Sequence, residues 1–196
     1  MILPIVAYGD PVLKRKAKVI PEDYPNLQEL IDNMFETMYN AQGVGLAAPQ
    51  IGKSIRLFIV DASPFAEDKN LSAQEKEALK DAKEVFINPE IISEAGNEWD
   101  FNEGCLSIPE VREDVFRKPD IKIEYYDRDF KLQTKALDGL WARVVQHEYD
   151  HIEGILFTDK LSGLKKRLIK GKLNNISKGK IDVDYRMRFP KLKKSR

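Results

Sequence analysis

Gln146-His147-Glu148-Tyr149-Asp150-His151 decides how this chain is read. The run is an H-E-x-x-H motif, and it holds both histidines of the 196-residue sequence. On an α-helix, residues four apart are separated by about 6 Å of rise and about 40° of rotation, so the two imidazoles can grip one cation. Glu148 can then reach a water on that cation. Cys105 is the sole cysteine and has no disulfide partner, which makes it the third soft ligand. Three ligands are what a tetrahedral site with one open position requires. Leu140, Val144 and Val145 before the motif, and Ile152 and Ile155 after it, frame it with apolar positions. Asp138-Gly139 marks the start of the helix and Gly154 its left-handed exit, so a buried helix is expected.

Each part taken singly has a plainer reading. A lone His is more often a hydrogen-bonded structural residue, and a lone Cys a small buried hydrophobe. The pairing of two His around a Glu on one apolar-framed helix is what points to metal. Composition adds bounds: 42% hydrophobic residues suffice for a core at this length. No stretch approaches the ~20 apolar residues of a membrane span. Met1-Ile2-Leu3-Pro4 leads into polar sequence without a basic segment and cleavage site, and a single cysteine suits a reducing compartment. A cytoplasmic protein without membrane contact or specific DNA binding is expected.

The elements read as mixed, without repeats. Asn26 is expected to cap an amphipathic helix carrying Leu27, Leu30, Ile31, Met34 and Met38, which Gly43 ends. A loop from Gly43 to Gln50 follows, then a strand from Ile55 to Val60. Ser72-Ala73-Gln74-Glu75 is a capping box opening a charged helix to about Lys83, in what looks like a surface insertion. Strands are expected at Val85-Phe86-Ile87, around Ile91-Ile92, before Cys105, and in a hairpin pairing Ile121 to Tyr126 with Lys131 to Leu137. After the motif helix come a short helix near Leu164 to Ile169 and an alternating segment, Ile181 to Met187, that reads as a last strand. The expectation is an α+β fold: one compact domain, mixed or antiparallel strands around a central helix bearing the H-E-x-x-H motif, and a strand-like C-terminal extension. The catalytic domain is expected over 1–165 and a basic extension over 166–196.

Two further stretches complete a set. Gly43-Val44-Gly45-Leu46-Ala47-Ala48-Pro49-Gln50, Glu103-Gly104-Cys105-Leu106-Ser107 and the H-E-x-x-H run occur in this order, and together they resemble the three signature motifs of the peptide deformylase family. Tyr8-Gly9-Asp10-Pro11-Val12-Leu13 and Ser107-Ile108-Pro109-Glu110 are similar to that family too, so the resemblance covers roughly residues 4 to 165. It implies removal of the formyl group from the N-terminal formylmethionine of nascent chains, with release of formate. It also implies one divalent metal ion, Fe2+ in many members, held by Cys105, His147 and His151. Glu148 would take a proton from water and give it to the leaving amine. Gln50 and the backbone N–H of Leu106 would donate to the oxyanion. From the donor chemistry alone, zinc, nickel or cobalt suits a thiolate with two imidazoles as well as iron does.

The substrates implied are formylmethionyl peptides. Gly43 and Gly45 let backbone approach a ligand closely, and their loop is able to pair with an extended peptide as an added strand. A phosphate loop is the rival for this glycine-rich stretch, but the Gly-Lys-Ser/Thr ending is missing. Val44, Phe101, Leu140 and Val144 are expected to wall a pocket for the methionine side chain, although the same residues would serve as ordinary core. Arg112 matches an Arg near the substrate entrance in relatives, and Glu103 is a candidate acceptor for a ligand His. A zinc protease is the rival enzyme, yet it needs a third ligand after the helix, commonly His or Glu, and no His follows His151. A metal-stabilised binding module would close the site with a fourth side chain, for which no further Cys or His exists.

Relative to the compact bacterial pattern, the stretch from about Ser63 to Lys83 lengthens the link between the first two motifs. The C-terminal part alternates like a strand where some members continue a helix. The formal net charge of zero hides an asymmetry, since residues 160–196 carry fourteen Lys and Arg against Asp182 and Asp184. Such a tail either solvates the surface or meets a polyanion, and the ribosome is the polyanion that a deformylase would need.

Overall fold

The computed structural model describes residues 1–190. In chain order the elements are β1 (Ile5–Val6), α1 (Leu27–Asn40), β2 (Gly45–Ala47), β3 (Leu57–Asp61), α2 (Ala73–Lys80), β4 (Lys83–Ala95) and β5 (Trp99–Cys105). They continue with β6 (Ile108–Arg117), β7 (Asp120–Tyr126), β8 (Leu132–Leu137), α3 (Gly139–Ile152), α4 (Gly163–Ser177) and β9 (Met187–Arg188). Five strands form an antiparallel sheet in the order β2-β3-β4-β7-β8. The β5–β6 hairpin stands apart from it, and β1 pairs in parallel with β9. Three apolar clusters fill the spaces between these layers. Among the described residues, no helix is long and apolar enough to cross a membrane.

The motif helix α3 is the central element, as its apolar frame implies. Ala142, Val144, Val145 and Ile152 are buried against Phe58, Val60 and Phe86 of the sheet. Arg143, Gln146, Glu148, Asp150 and His151 are buried on the same helix. Buried polar groups need partners: Arg143, Asp150 and His151 meet theirs on the β5–β6 hairpin and Gln146 on the Lys118 carbonyl just beyond it, so helix and hairpin together enclose the site. Gly154 takes the left-handed conformation at φ 76° and ends the helix.

Several elements differ from expectation, each for a local reason. Asn26 precedes α1 but lies in the left-handed region at φ 54° with no side-chain capping bond; what it gives the helix is its carbonyl, which accepts from the Leu30 N–H at 2.9 Å. Gln42, at φ 55°, takes the left-handed position after the helix in place of Gly43. The strands foreseen at Val85–Ile87 and Ile91–Ile92 are one, β4, because irregular pairing with β7 between Ile87 and Glu90 carries the strand past Pro89. Helix α2 forms with the foreseen Ser72–Glu75 capping box and ends at Lys80, ahead of Lys83. Strand β6 was not foreseen, since charged residues interrupt the apolar pattern of Val111 and Val115.

The helix foreseen at Leu164–Ile169 runs on to Ser177, because Ile169, Leu173 and Ile176 recur at helical spacing and bury with Val6, Leu13 and Phe157. Position 165 therefore falls inside its first turn. Of the segment Ile181–Met187, Met187 joins the final strand, with Arg188; the burial alternation is present, but its ladder partner, β1, is two residues long. Lys191, Lys193, Lys194 and Arg196 lie outside the described residues.

Candidate active site

Helix spacing brings the two imidazoles together, with ring centroids 5.1 Å apart. Cys105 arrives at the end of β5, where the ladder with β6 shifts register between Gly104 and Cys105. That shift turns the thiol toward the helix, and Cys105 Sγ lies 3.3 Å from His151 Nε2. One donor atom each from Cys105, His147 and His151 falls within 4.8 Å of the others.

Glu103 holds the cluster in place. Its carboxylate accepts from Arg117 Nε at 2.7 Å and Nη2 at 3.0 Å, from Arg143 Nη1 at 3.1 Å, and contacts His147 Nδ1 at 2.9 Å. Engaging Nδ1 leaves His147 Nε2 to face the thiol. Arg117 also donates to Asp150 Oδ2 at 2.7 Å, tying the hairpin to the helix a second time. Burial alone would raise the Glu103 pKa, yet the Arg117 hydrogen bonds and His147 override it and hold the carboxyl well below the carboxylate range. Burial likewise opposes charge on the imidazoles. Contacts with Cys105 and Glu103 reverse this for His147, which is held above the ordinary histidine value, while burial and the neighbouring His147 push His151 well below it.

These residues fit a divalent cation. One thiol and two imidazoles converge on a single point, and the donor set matches an open tetrahedral site. Orientation of a ligand His by a carboxylate is the usual support for such a centre. Glu148 Oε2 is buried with no hydrogen-bond partner among the described residues. Burial pushes the Glu148 pKa up to about 7.

Gln50 sits at the end of the 3-10 turn Ala48–Ile51, where Pro49 fixes the backbone before it. Its Oε1 accepts from the Ala47 N–H at 2.8 Å, which aims Nε2 at Cys105 Sγ (3.5 Å) and Ser107 Oγ (3.4 Å). The glycines of the first motif make room for the other two. A Cβ on Gly45 would come within 2.4 Å of Glu148 Oε1, and one on Gly43 within 2.7 Å of Leu106 Cδ1. Their small size therefore serves this chain's own side chains before any ligand.

A cavity of about 520 Å³ opens onto this cluster. Gly43, Val44, Gly45, Gln50, Phe101, Cys105, Leu106, Arg112, Val144, His147 and Glu148 all line it. Arg112 lies across the hairpin at its mouth, with Nε donating to Asn102 Oδ1 at 2.9 Å. His151 lies deeper, fully buried. Leu140 does not line the cavity; it packs with Trp141 in the apolar cluster beneath the sheet, because the first turn of the helix lies away from the opening.

Phe65, Arg143 and Tyr185 are among the lining residues that the sequence does not single out. Phe65 comes from the 3-10 turn Ser63–Glu67 inside the presumed surface insertion, and meets Phe101 edge-on at 6.4 Å. Arg143, between Ala142 and Val144 on the helix, stacks over Trp99 at 4.3 Å. Tyr185 reaches the cavity from the C-terminal segment. Only the alternation around Tyr185 carried any signal.

Comparison with known proteins agrees with this geometry. The family profile described as polypeptide deformylase matches residues 2–167. A peptide deformylase of Christiangramia forsetii is 68% identical and one of Flavobacterium johnsoniae 62% identical, each over the full length of both chains. Among solved structures, a peptide deformylase from Legionella pneumophila superimposes with a TM-score of 0.76 at 39% identity, covering 92% of this chain and 98% of that one. A profile match over most of the sequence, and relatives sharing more than six residues in ten along all of it, place the chain in the polypeptide deformylase family.

Proposed function

We propose that the chain hydrolyses the formyl group of N-terminal formylmethionine on nascent peptides and releases formate, with the cavity and its metal-ligand cluster as the active site. The observation that supports this most is the convergence of Cys105, His147 and His151 on one point, with Glu148 and Gln50 beside it on the cavity wall. Cys105, His147 and His151 hold a divalent cation, Fe2+ in cells, with zinc, nickel or cobalt able to take the same donors. When bound, the cation supplies Lewis acidity that makes water acidic enough to attack at neutral pH.

The chain's own residues do the rest. Glu148 takes the proton of the attacking water and returns it to the leaving amine as the C–N bond breaks. As oxygen adds to the formyl carbon, negative charge develops on the formyl oxygen, and Gln50 Nε2 with the Leu106 N–H stabilises it. Strand β2 is the edge of its sheet, so an extended substrate is able to pair beside Gly43–Gly45 as a further strand. Val44, Phe101 and Val144 receive the methionine side chain, and Arg112 stands at the entrance. Leu140 supports this wall from behind.

Release of formate from formyl-Met-Ala-Ser tests the activity. The Glu148→Gln enzyme should retain its metal and lose at least ~10²-fold in rate, since general base catalysis is worth ~10² to 10⁴. Near-normal formate release with metal bound would remove Glu148 from the mechanism. Metal content after anaerobic preparation tests the assignment of iron.

Ribosome contact through the basic C-terminal region belongs to the same proposal. Helix α4 exposes Lys166, Arg167, Lys170 and Lys172, a patch suited to RNA phosphates by counterion release.

A further inference from the structure

The turn Leu106-Ser107 joins β5 to β6 at the point where their register shifts, so the ladder leaves both of its carbonyls over. The two ends of the chain take them. Tyr185 Oη donates to the Leu106 carbonyl at 2.8 Å, and the Tyr8 N–H donates to the Ser107 carbonyl at 2.8 Å. Tyr8 follows β1 and Tyr185 precedes β9, the two strands that pair in parallel, with Ile5 and Ala7 N–H groups donating to the Arg186 and Arg188 carbonyls at 2.9 Å each. The donors to the turn are therefore fixed to each other.

The same segment reaches the second oxyanion donor. Arg188 lies against Gly52, where a Cβ would come within 2.5 Å of its Nη2. Gly52, at φ 83°, closes the 3-10 turn that carries Gln50. Residues 185–188 thus touch the backbone segments that carry both donors. A hydrogen bond weakens steeply as its angle departs from linear, and an oxyanion hole works only if its donors are aimed before the charge develops. The Leu106 N–H belongs to the peptide plane before its Cα and the pinned carbonyl to the plane after it; the two planes meet at Leu106 φ and ψ, so holding the second removes one of the motions by which the first could swing.

We propose that Tyr185 is a positioning residue for the deformylation reaction: by fixing the Leu106 carbonyl, it sets the angle at which the Leu106 N–H meets the transition-state oxyanion. This rests on the assignment of Gln50 and Leu106 as the oxyanion donors. Tyr185→Phe removes only the hydroxyl and leaves the ring among its apolar neighbours. In the metal-loaded enzyme it should lower kcat about five- to tenfold, the factor that corresponds to one net hydrogen bond. KM should stay within about twofold, and metal content should not change. Because both groups serve one oxyanion, the loss in the Gln50→Ala, Tyr185→Phe double variant should be smaller than the product of the single losses.

A Tyr185→Phe enzyme with kcat within twofold of the parent, with its loss confined to KM, or with lowered metal content, would overturn the proposal. Gln50→Ala alone separates the two levels. If it lowers kcat by ~10² or more while Tyr185→Phe does not, only the role of Tyr185 fails. If Gln50→Ala leaves kcat unchanged, the donor assignment fails and this proposal with it.

Discussion

Gly45 shows how closely the motifs depend on one another. Its missing side chain is filled by the Glu148 carboxylate, so a methyl group there, at 2.4 Å from Oε1, forces the carboxylate aside. Gly45→Ala should keep the metal, whose ligands it does not touch, and lower kcat by ~10- to 100-fold, part of the ~10² to 10⁴ that a positioned base contributes. Unchanged turnover would show that Glu148 has room elsewhere. Glu103 offers a test through pH. Its folded pKa lies far below the model-peptide value of 4.5, so its contribution to stability is complete above about that pH and is lost as pH falls toward the folded value. Glu103→Gln takes one of its two carboxylates from buried Arg117, leaving Asp150, and should cost less than the ~3 to 5 kcal/mol of a fully uncompensated buried charge at pH 7. The Tm gap between parent and variant, followed in the metal-free proteins from pH 7 to 3, should narrow below about pH 4.5; a constant gap would contradict the charge-pair account. The convergence of Glu148 and the two His was legible in sequence because helix spacing fixes it, whereas Cys105, on another strand, stood out only as the chain's remaining soft ligand. Arg143 was not, since a charged residue inside an apolar stretch gives no sign of which carboxylate it meets.

At the level of elements, the insertion between the first two motifs is more than a surface loop. Asp61, at the end of β3, accepts from the Ser63 N–H at 3.1 Å and hydroxyl at 2.5 Å, and from the Tyr39 hydroxyl at 2.5 Å. These bonds anchor the turn that presents Phe65 to the cavity. Phe65→Ala should raise KM for formyl-Met-Ala-Ser about two- to tenfold, the range set by the ~0.5 to 1.5 kcal/mol of an aromatic pair, and leave kcat within twofold. Steady-state kinetics that show no change in KM would return the insertion to the surface. Its capping box was readable from Ser72 to Glu75 because capping is local, whereas the contact of Phe65 with Phe101 spans two elements that the sequence cannot orient. Strand β6 was hidden for the opposite reason. Its pattern is local, but Glu113 stands between Val111 and Val115 on the same face and interrupts the apolar alternation that Arg117 also breaks.

For the molecule as a whole, charge and fold are divided along the chain. The basic surplus begins near Lys160 and coincides with a helix whose buried side is apolar and whose other side carries Lys166, Arg167, Lys170 and Lys172. Replacing Arg167, Lys170 and Lys172 by Gln should leave formate release from a short peptide within about twofold and reduce co-sedimentation with ribosomes at low salt. The dependence of that association on salt should become shallower by about one phosphate contact per charge removed. Identical salt series for parent and variant would reduce the surplus to ordinary solvation. The overall α+β arrangement was legible because hairpins and helices announce themselves over short windows. The parallel pairing of Ile5 with Met187 was not, because two residues at each end of a chain carry no pattern that names their partner.

That pairing also sets an order in time. β1 is made long before β9, and contacts of such sequence separation are the slowest to form. Tyr185, whose hydroxyl pins the Leu106 carbonyl, precedes that late strand, so the turn beside Cys105 stays unbraced until the rest of the fold is in place.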